Sequence, residues 1–192
     1  MNNTKKIHKS CSFFGHRKIN VSDELEQKLK GIIEDLIINH NVSTFLFGSK
    51  SEFNNLCHKI VSHLKEIYPN IRRIAYTCKN ETCIISNEIE KWEKIYSNLN
   101  NYNNDNVYLL VVEEEYNYKT KYTSGKASYL ERNQEMIDNS DYCVFYFDEN
   151  YKPNKRKISK TNNNFYQPKS GTALAWTYSN TKEKSIINTF IL

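Results

Sequence analysis

The sequence predicts a single doubly wound α/β domain, a mostly parallel sheet with helices on both faces. Two observations carry that prediction. As far as Cys78, short apolar runs alternate with helical periodicity in the order β-α-β-α-β, which joins parallel strands through right-handed crossovers. Further on, a buried strand, a long loop, a helix and a closing apolar strand extend the same pattern. The domain spans residues 1–192, with a polar tail at 1–8 and a long basic loop at 149–169.

The first apolar run, Cys11-Ser12-Phe13-Phe14, ends abruptly in Gly15-His16-Arg17. Leu25, Leu29, Ile32, Ile33, Leu36 and Ile37 then recur at helical spacing over 23–39, with Ser22 suited to the N-cap and Asp23 and Glu24 to the first turn. A short strand at 44–47 ends in Gly48-Ser49-Lys50-Ser51. A second helix over 52–67 places Phe53, Leu56, Cys57, Ile60, Val61 and Leu64 on one face, and Tyr68-Pro69-Asn70 stops it. Residues 73–78 form the third strand.

Residues 88–99 suit a helix with Ile89, Trp92, Ile95 and Tyr96 inward, and 98–106 is polar loop. A strand is expected at 107–112, followed by a solvent-facing Glu113-Glu114-Glu115 and a loop over 116–125. A helix at 126–139 ends at Asn139-Ser140, and the strand at 142–147 carries Asp148 at its end. Residues 149–169 show no periodicity, and loops of that length in a compact domain serve as functional lids or stay disordered. The last helix opens after Ser170-Gly171 and runs over 172–179, before a closing strand at 185–192.

Composition sets bounds on function. With 39% hydrophobic and 13% aromatic residues, the chain is globular rather than disordered. No apolar run nears the roughly 18 residues of a membrane span, and the polar start lacks the apolar stretch of a signal peptide. A cytoplasmic protein with no membrane partner is expected. Five cysteines, an odd number, suggest free buried thiols. Cys78 and Cys83 lack a second pair or a histidine cluster, so no metal is expected. The net charge of +5 is mild, and much of the excess lies in 152–160. Such a run is usually a solvated loop and sometimes a phosphate contact.

Three stretches carry candidate chemistry: Gly15-His16-Arg17, Gly48-Ser49-Lys50-Ser51 and Ser170-Gly171-Thr172. Each leads into a helix at the carboxyl edge of the sheet, where helix N-termini and small residues can cradle an anion. Helix caps need the same residues for structural reasons alone. Arg132 and Asn133 join the set from the helix at 126–139, although Arg132 could instead pair on the surface with Glu135 or Asp138. His16 could donate to a phosphate or merely cap its strand. Glu52 suits a ribose hydroxyl or a base, or simply the first turn of a helix.

These motifs, with Phe47 to Asn54 and Tyr129 to Asp141, resemble the SLOG superfamily. That Rossmann-like group contains the LOG phosphoribohydrolases, DprA and the YpsA-like proteins. The last two motifs also resemble nucleoside deoxyribosyltransferases. The resemblance runs from Cys11 to Ile191 and implies a nucleotide-derived ligand at the carboxyl edge, with no further cofactor. It also implies a catalytic Glu after Gly-Thr, where this chain carries Ala175. Ser51 and Asn54 stand where the resemblance implies Gly and Asp, which suggests a looser or altered contact at that edge.

The reading that follows is a sensor or binding module for a phosphorylated nucleotide or nucleotide derivative. Gly15, His16, Arg17, Gly48, Ser49, Arg132, Asn133, Ser170, Gly171 and Thr172 would surround the ligand. The alternative is a nucleotide N-glycosidase or phosphoribohydrolase drawing its acid from Glu52, Glu131 or Asp148. A DprA-like nucleic-acid binder, resting on 152–160 with Tyr151, Phe165 and Tyr166, is the least favoured, so nucleic acid is not the expected partner. The 14 tyrosines are compatible with a homodimer interface.

Overall fold

The computed structural model describes residues 8–48, 51–78, 81, 83–89, 110–117, 126–158 and 165–190. Six strands form a parallel sheet: β1 (Lys9–Gly15), β2 (Val42–Phe47), β3 (Arg72–Thr77), β6 (Glu114–Asn117), β7 (Tyr142–Tyr146) and β10 (Ser185–Asn188). Their order is β10-β7-β1-β2-β3-β6, with every neighbouring pair parallel. From β1 the chain winds one way through β2 and β3, and β7 and β10 lie on its other side. The order therefore reverses between β1 and β7, where open α/β sheets leave a crevice. A short pair, β4 (Ile84–Ile85) with β5 (Val111–Val112), lies outside this sheet. A second, β8 (Arg156–Lys157) with β9 (Phe165–Tyr166), is antiparallel. No described helix is long and apolar enough to cross a membrane.

Alternation along the strands builds two cores. Helices α1 (Asp23–Ile38) and α2 (Glu52–Ile67) cover one face, and α3 (Lys126–Asp138) and α4 (Gly171–Thr181) cover the other. Phe13, Phe45, Phe47 and Val144 pack with the first layer. Their chain neighbours Phe14, Leu46, Cys143 and Phe145 pack with Met136, Ile137 and Ala175 of the second. A strand buried on both faces reads as a continuous apolar run, and that is why these strands were visible in the sequence. Ser22 caps its helix as expected, and Ser51 and Ser170 do the same for theirs: the three hydroxyls accept from the N–H groups of Leu25, Asn54 and Ala173.

One expectation fails at the sheet edge. Tyr116 and Asn117, expected in a loop, belong to β6, which starts within the acidic run at Glu114 and lies beside β3. The acids of that run are paired: Glu113 with Arg73 at 2.6 Å, Glu114 with Arg72 at 2.5 Å, and Glu115 accepting from Thr77 at 2.5 Å. An edge strand held by cross-strand charge pairs has no apolar signature to read. Of the strand expected at 107–112, residues 107–109 lie outside the described residues, and Val111 and Val112 pair with β4 rather than with the central sheet. The helix expected at 88–99 and the loop at 98–106 fall largely outside the described residues. All five cysteines are free and buried.

The end of β1 is unusually close-packed. A Cβ on Gly15 would lie 2.4 Å from both Cβ and Cγ of Phe53, a fully buried side chain in the first turn of α2. Glycine here lets α2 dock against the strand. Gly15→Ala is expected to destabilise the fold by about 1–3 kcal/mol through overpacking, seen as a lowered Tm in thermal denaturation. An unchanged Tm would show that α2 does not depend on this contact.

Candidate functional site

A cleft of about 490 Å³ opens at the carboxyl ends of β1 and β7. Gly15, His16 and Arg17 line it from the end of β1, and Ser51 and Asn54 from the start of α2. Tyr129, Leu130, Arg132 and Asn133 close one side from α3. Ser170, Gly171 and Thr172 open α4 into it, and Tyr151, Pro153, Arg156 and Lys169 come from the long loop. Its volume suits a nucleotide-sized molecule. A larger hollow of about 940 Å³ lies by α1 and α2 and borders Ile89, the last described residue before 110.

Most of the sequence-predicted ligand residues converge here. Gly48 does not line the cleft, and Ser49 lies outside the described residues. A Cβ on Gly48 would sit 2.7 Å from an Arg132 guanidinium nitrogen, so this glycine makes room for arginine. Arg132 is buried and pairs with Glu81 at 3.4 Å, in place of the Glu135 or Asp138 considered from sequence. The same guanidinium donates to Asn133 at 3.1 Å and lies 5.2 Å from the centre of the Tyr129 ring. Its partner is 51 residues away in the chain, beyond the reach of helical spacing.

Asn54, which stands where the resemblance implies Asp, is engaged within the fold. Its side chain accepts from Gly48 N at 3.2 Å and donates to the Phe13 carbonyl at 3.3 Å and to Ser51 Oγ at 3.1 Å. The amide therefore ties the end of β2 to β1. An aspartate would lack the donors for the last two bonds.

None of the three acids proposed for catalysis lines the cleft. The Glu52 carboxylate accepts from Ile19 N at 2.9 Å and pins the turn after β1. Asp148 accepts from Asn150 N through its side chain at 2.8 Å and from Tyr151 N through its carbonyl at 3.2 Å. Glu131 sits on α3, half-buried, away from the lining. Among the described residues the lining contains Arg17, Arg132, Arg156 and Lys169 but no Asp or Glu. Arg17 and Arg156 are exposed and make no ion pair with a described residue. The first N–H groups of α4 have no acceptor within their helix and face the same positive region. The chemistry available is anion binding. No described cluster of three or more His, Cys, Asp or Glu side chains could hold a metal.

Tyr151, Arg156 and Lys169 were not among the predicted site residues. The basic run with Tyr151 was the only signal, and a run without periodicity does not say which of its members face a cleft. The long stretch read as a loop without periodicity contains the β8–β9 ladder, with Lys157 Nζ 6.0 Å from the centre of the Phe165 ring.

His16 is buried beside Asp148, whose backbone N–H donates to Nε2 at 3.2 Å. Nε2 is then the acceptor, so the proton is on Nδ1, which has no partner among the described residues. Burial lowers the His16 pKa from 6.5, with a smaller opposing contribution from Asp148. Burial also lowers that of His58, whose Nε2 lies 2.8 Å from the Val111 carbonyl. For both rings the unfolded chain binds the proton more tightly, so stability rises with pH through the window below about 6.5. NMR titration is expected to give midpoints below 6.5 for both imidazoles, with Tm falling on acidification. A midpoint at or above 6.5 would contradict the burial.

No protein-family model and no curated protein matches the sequence. Among solved structures, the chain is similar to DNA processing protein A from Helicobacter pylori, described for its single-stranded DNA binding mode. The TM-score is 0.50 at 13% identity, covering 92% of this chain and 63% of that one. The likeness is one of fold: a mostly parallel Rossmann-like α/β sheet. It accords loosely with the SLOG resemblance, through DprA, and lends nothing to its YpsA-like or deoxyribosyltransferase parts. It overturns the expectation against a nucleic-acid partner, since a protein of the same fold binds single-stranded DNA. The chain spans under two thirds of that protein's length.

Proposed function

We propose that the cleft binds the phosphate of a nucleotide or nucleotide derivative, as a binding or sensing module rather than a hydrolase. The observation that carries this reading is the described lining, cationic on several sides and without a carboxylate. Cleavage of an N-glycosidic bond needs an acid near the anomeric carbon. Ala175, which stands where the resemblance implies a Glu, is buried in the core against Met136 and Phe145.

A second reading has its own support. The hairpin at the cleft presents Arg156 and Lys157 across from Tyr166 and Phe165, whose rings are largely exposed. Basic groups interleaved with exposed aromatics suit a single strand, which combines backbone charge with base stacking. The binding of single-stranded DNA by the solved neighbour favours the same partner.

Titration with the nucleoside 5′-monophosphates and with a single-stranded oligonucleotide at two salt concentrations tests both readings. A free-nucleotide site is expected to saturate one to one, and Arg17→Ala should weaken it by about tenfold, roughly 1.4 kcal/mol. A strand site is expected to bind the oligonucleotide more tightly and to lose affinity steeply with salt, by a log–log slope of about 0.7 per contacted phosphate. Release of free base during the titration would restore the enzyme reading. Failure to bind either probe would remove both.

A further inference from the structure

The phosphate reading leaves the rest of a nucleotide without a place, and the aromatic groups beside the cleft offer one. The Tyr151 ring lies over the His16 imidazole, with centroids 4.0 Å apart and planes inclined by 30°. His16 approaches Phe147 at 6.4 Å, and Phe147 stacks on Trp176 at 5.0 Å and 28°. Trp176 meets the fully buried Phe145 edge-on at 5.1 Å. A column of rings thus runs from the core to the cleft and ends at Tyr151, which is 43% exposed against 4% for His16.

The column is held in place by one residue. Asp148 donates its N–H to His16 Nε2, accepts the Tyr151 N–H on its carbonyl, and accepts the Asn150 N–H on its side chain. The lower ring and the turn that carries the upper ring are therefore fixed to the same point. Hydrogen bonding alone does not explain a histidine here, because its second nitrogen is buried with no partner among the described residues. Leaving such a donor unpaired costs stability. One flat face of the ring, by contrast, is covered by Tyr151.

We propose that the outer face of Tyr151, backed by His16, is a stacking shelf for the nucleobase of the ligand whose phosphate the cleft binds. This inference rests on the nucleotide reading and adds the second recognition element. Base–aromatic stacking tolerates any base, because every base has a π-face. The shelf therefore selects for the presence of a base rather than for its identity. His16 acts as a positioning residue, since it meets the ligand only through Tyr151.

The test compares a base-bearing with a base-free phosphate: adenosine 5′-monophosphate against ribose 5-phosphate, and a single-stranded oligonucleotide against an abasic strand of equal length. Tyr151→Ala is expected to weaken the base-bearing probe by about tenfold and to leave the base-free probe within about twofold. Tyr151→Phe should keep the base advantage. Because Tyr151 is exposed, its variants are expected to keep the wild-type Tm. His16→Ala should lose the base advantage and His16→Phe, which keeps a ring but not the Asp148 bond, should regain most of it, a rescue that a hydrogen-bonding role would not give. A base advantage in the mononucleotide pair identifies a free nucleotide, and one in the strand pair alone identifies a strand. Equal losses for both members of a pair, or no loss, overturn the shelf while the phosphate reading survives. Absence of binding by every probe overturns both.

Discussion

The cleft depends on how closely α2 can approach the end of β1. Gly15 carries no Cβ, and the space is taken by Phe53. With that contact made, the first turn of α2 has three residues fixed against the strand ends. Ser51 caps the helix, the Glu52 carboxylate holds the turn at Ile19, and Asn54 ties Gly48 to Phe13. A bulkier residue at position 15 would push on all of them together, since they sit within a single helical turn. The glycine that looked from sequence like a phosphate contact is first a packing requirement. So is Gly48, whose bare Cα leaves room for Arg132.

The same local economy explains the charge of the cleft. The acids near it are committed to other partners. Glu81 is buried against Arg132, Glu52 accepts a backbone N–H, and Asp148 organises its own turn. The pairing of Arg132 also makes its burial tolerable, because an unpaired guanidinium at that depth would carry a large desolvation cost. What faces the opening is cationic: exposed Arg17 and Arg156, and Lys169 beside the N-terminus of α4. A low-dielectric floor beneath cations at the rim focuses their field on the space between them.

How much was legible in the sequence follows from the range of each interaction. The two-faced strands and the helix at 52–67 are local patterns of apolar period and capping, and they were read almost to the residue. Edge strand β6 was not, because its stability comes from Arg72 and Arg73 pairing across to Glu114 and Glu113, some 40 residues away. The Asp148–His16 bond spans 132 residues. No window of sequence contains both partners, so the contact between the turn at Asp148 and the His16 ring was not legible. Residues at strand ends were legible because sheet topology brings them together. Tyr151 and Arg156 were hidden in a run whose composition was informative and whose geometry was not.

The division between floor and rim bears on what such a cleft can recognise. Its floor consists of Gly15, Asn54, Arg132 and the α4 cap, each bound into strand ends or helix starts that the fold cannot give up. Changes there cost stability before they alter binding. The rim consists of Arg17, Tyr151, Arg156 and Lys169, side chains whose loss removes little buried area. The shape of the cleft can therefore be constant while the outer contacts vary, because the two are carried by different parts of the chain. Loops held on a rigid scaffold ordinarily work this way. Here the separation is incomplete at one point: Tyr151 is exposed, yet its ring is seated on His16 and, through Phe147 and Trp176, on the core. That makes it the rim residue best placed to meet a flat ligand without first losing conformational entropy, which is the larger part of what immobilising a side chain costs.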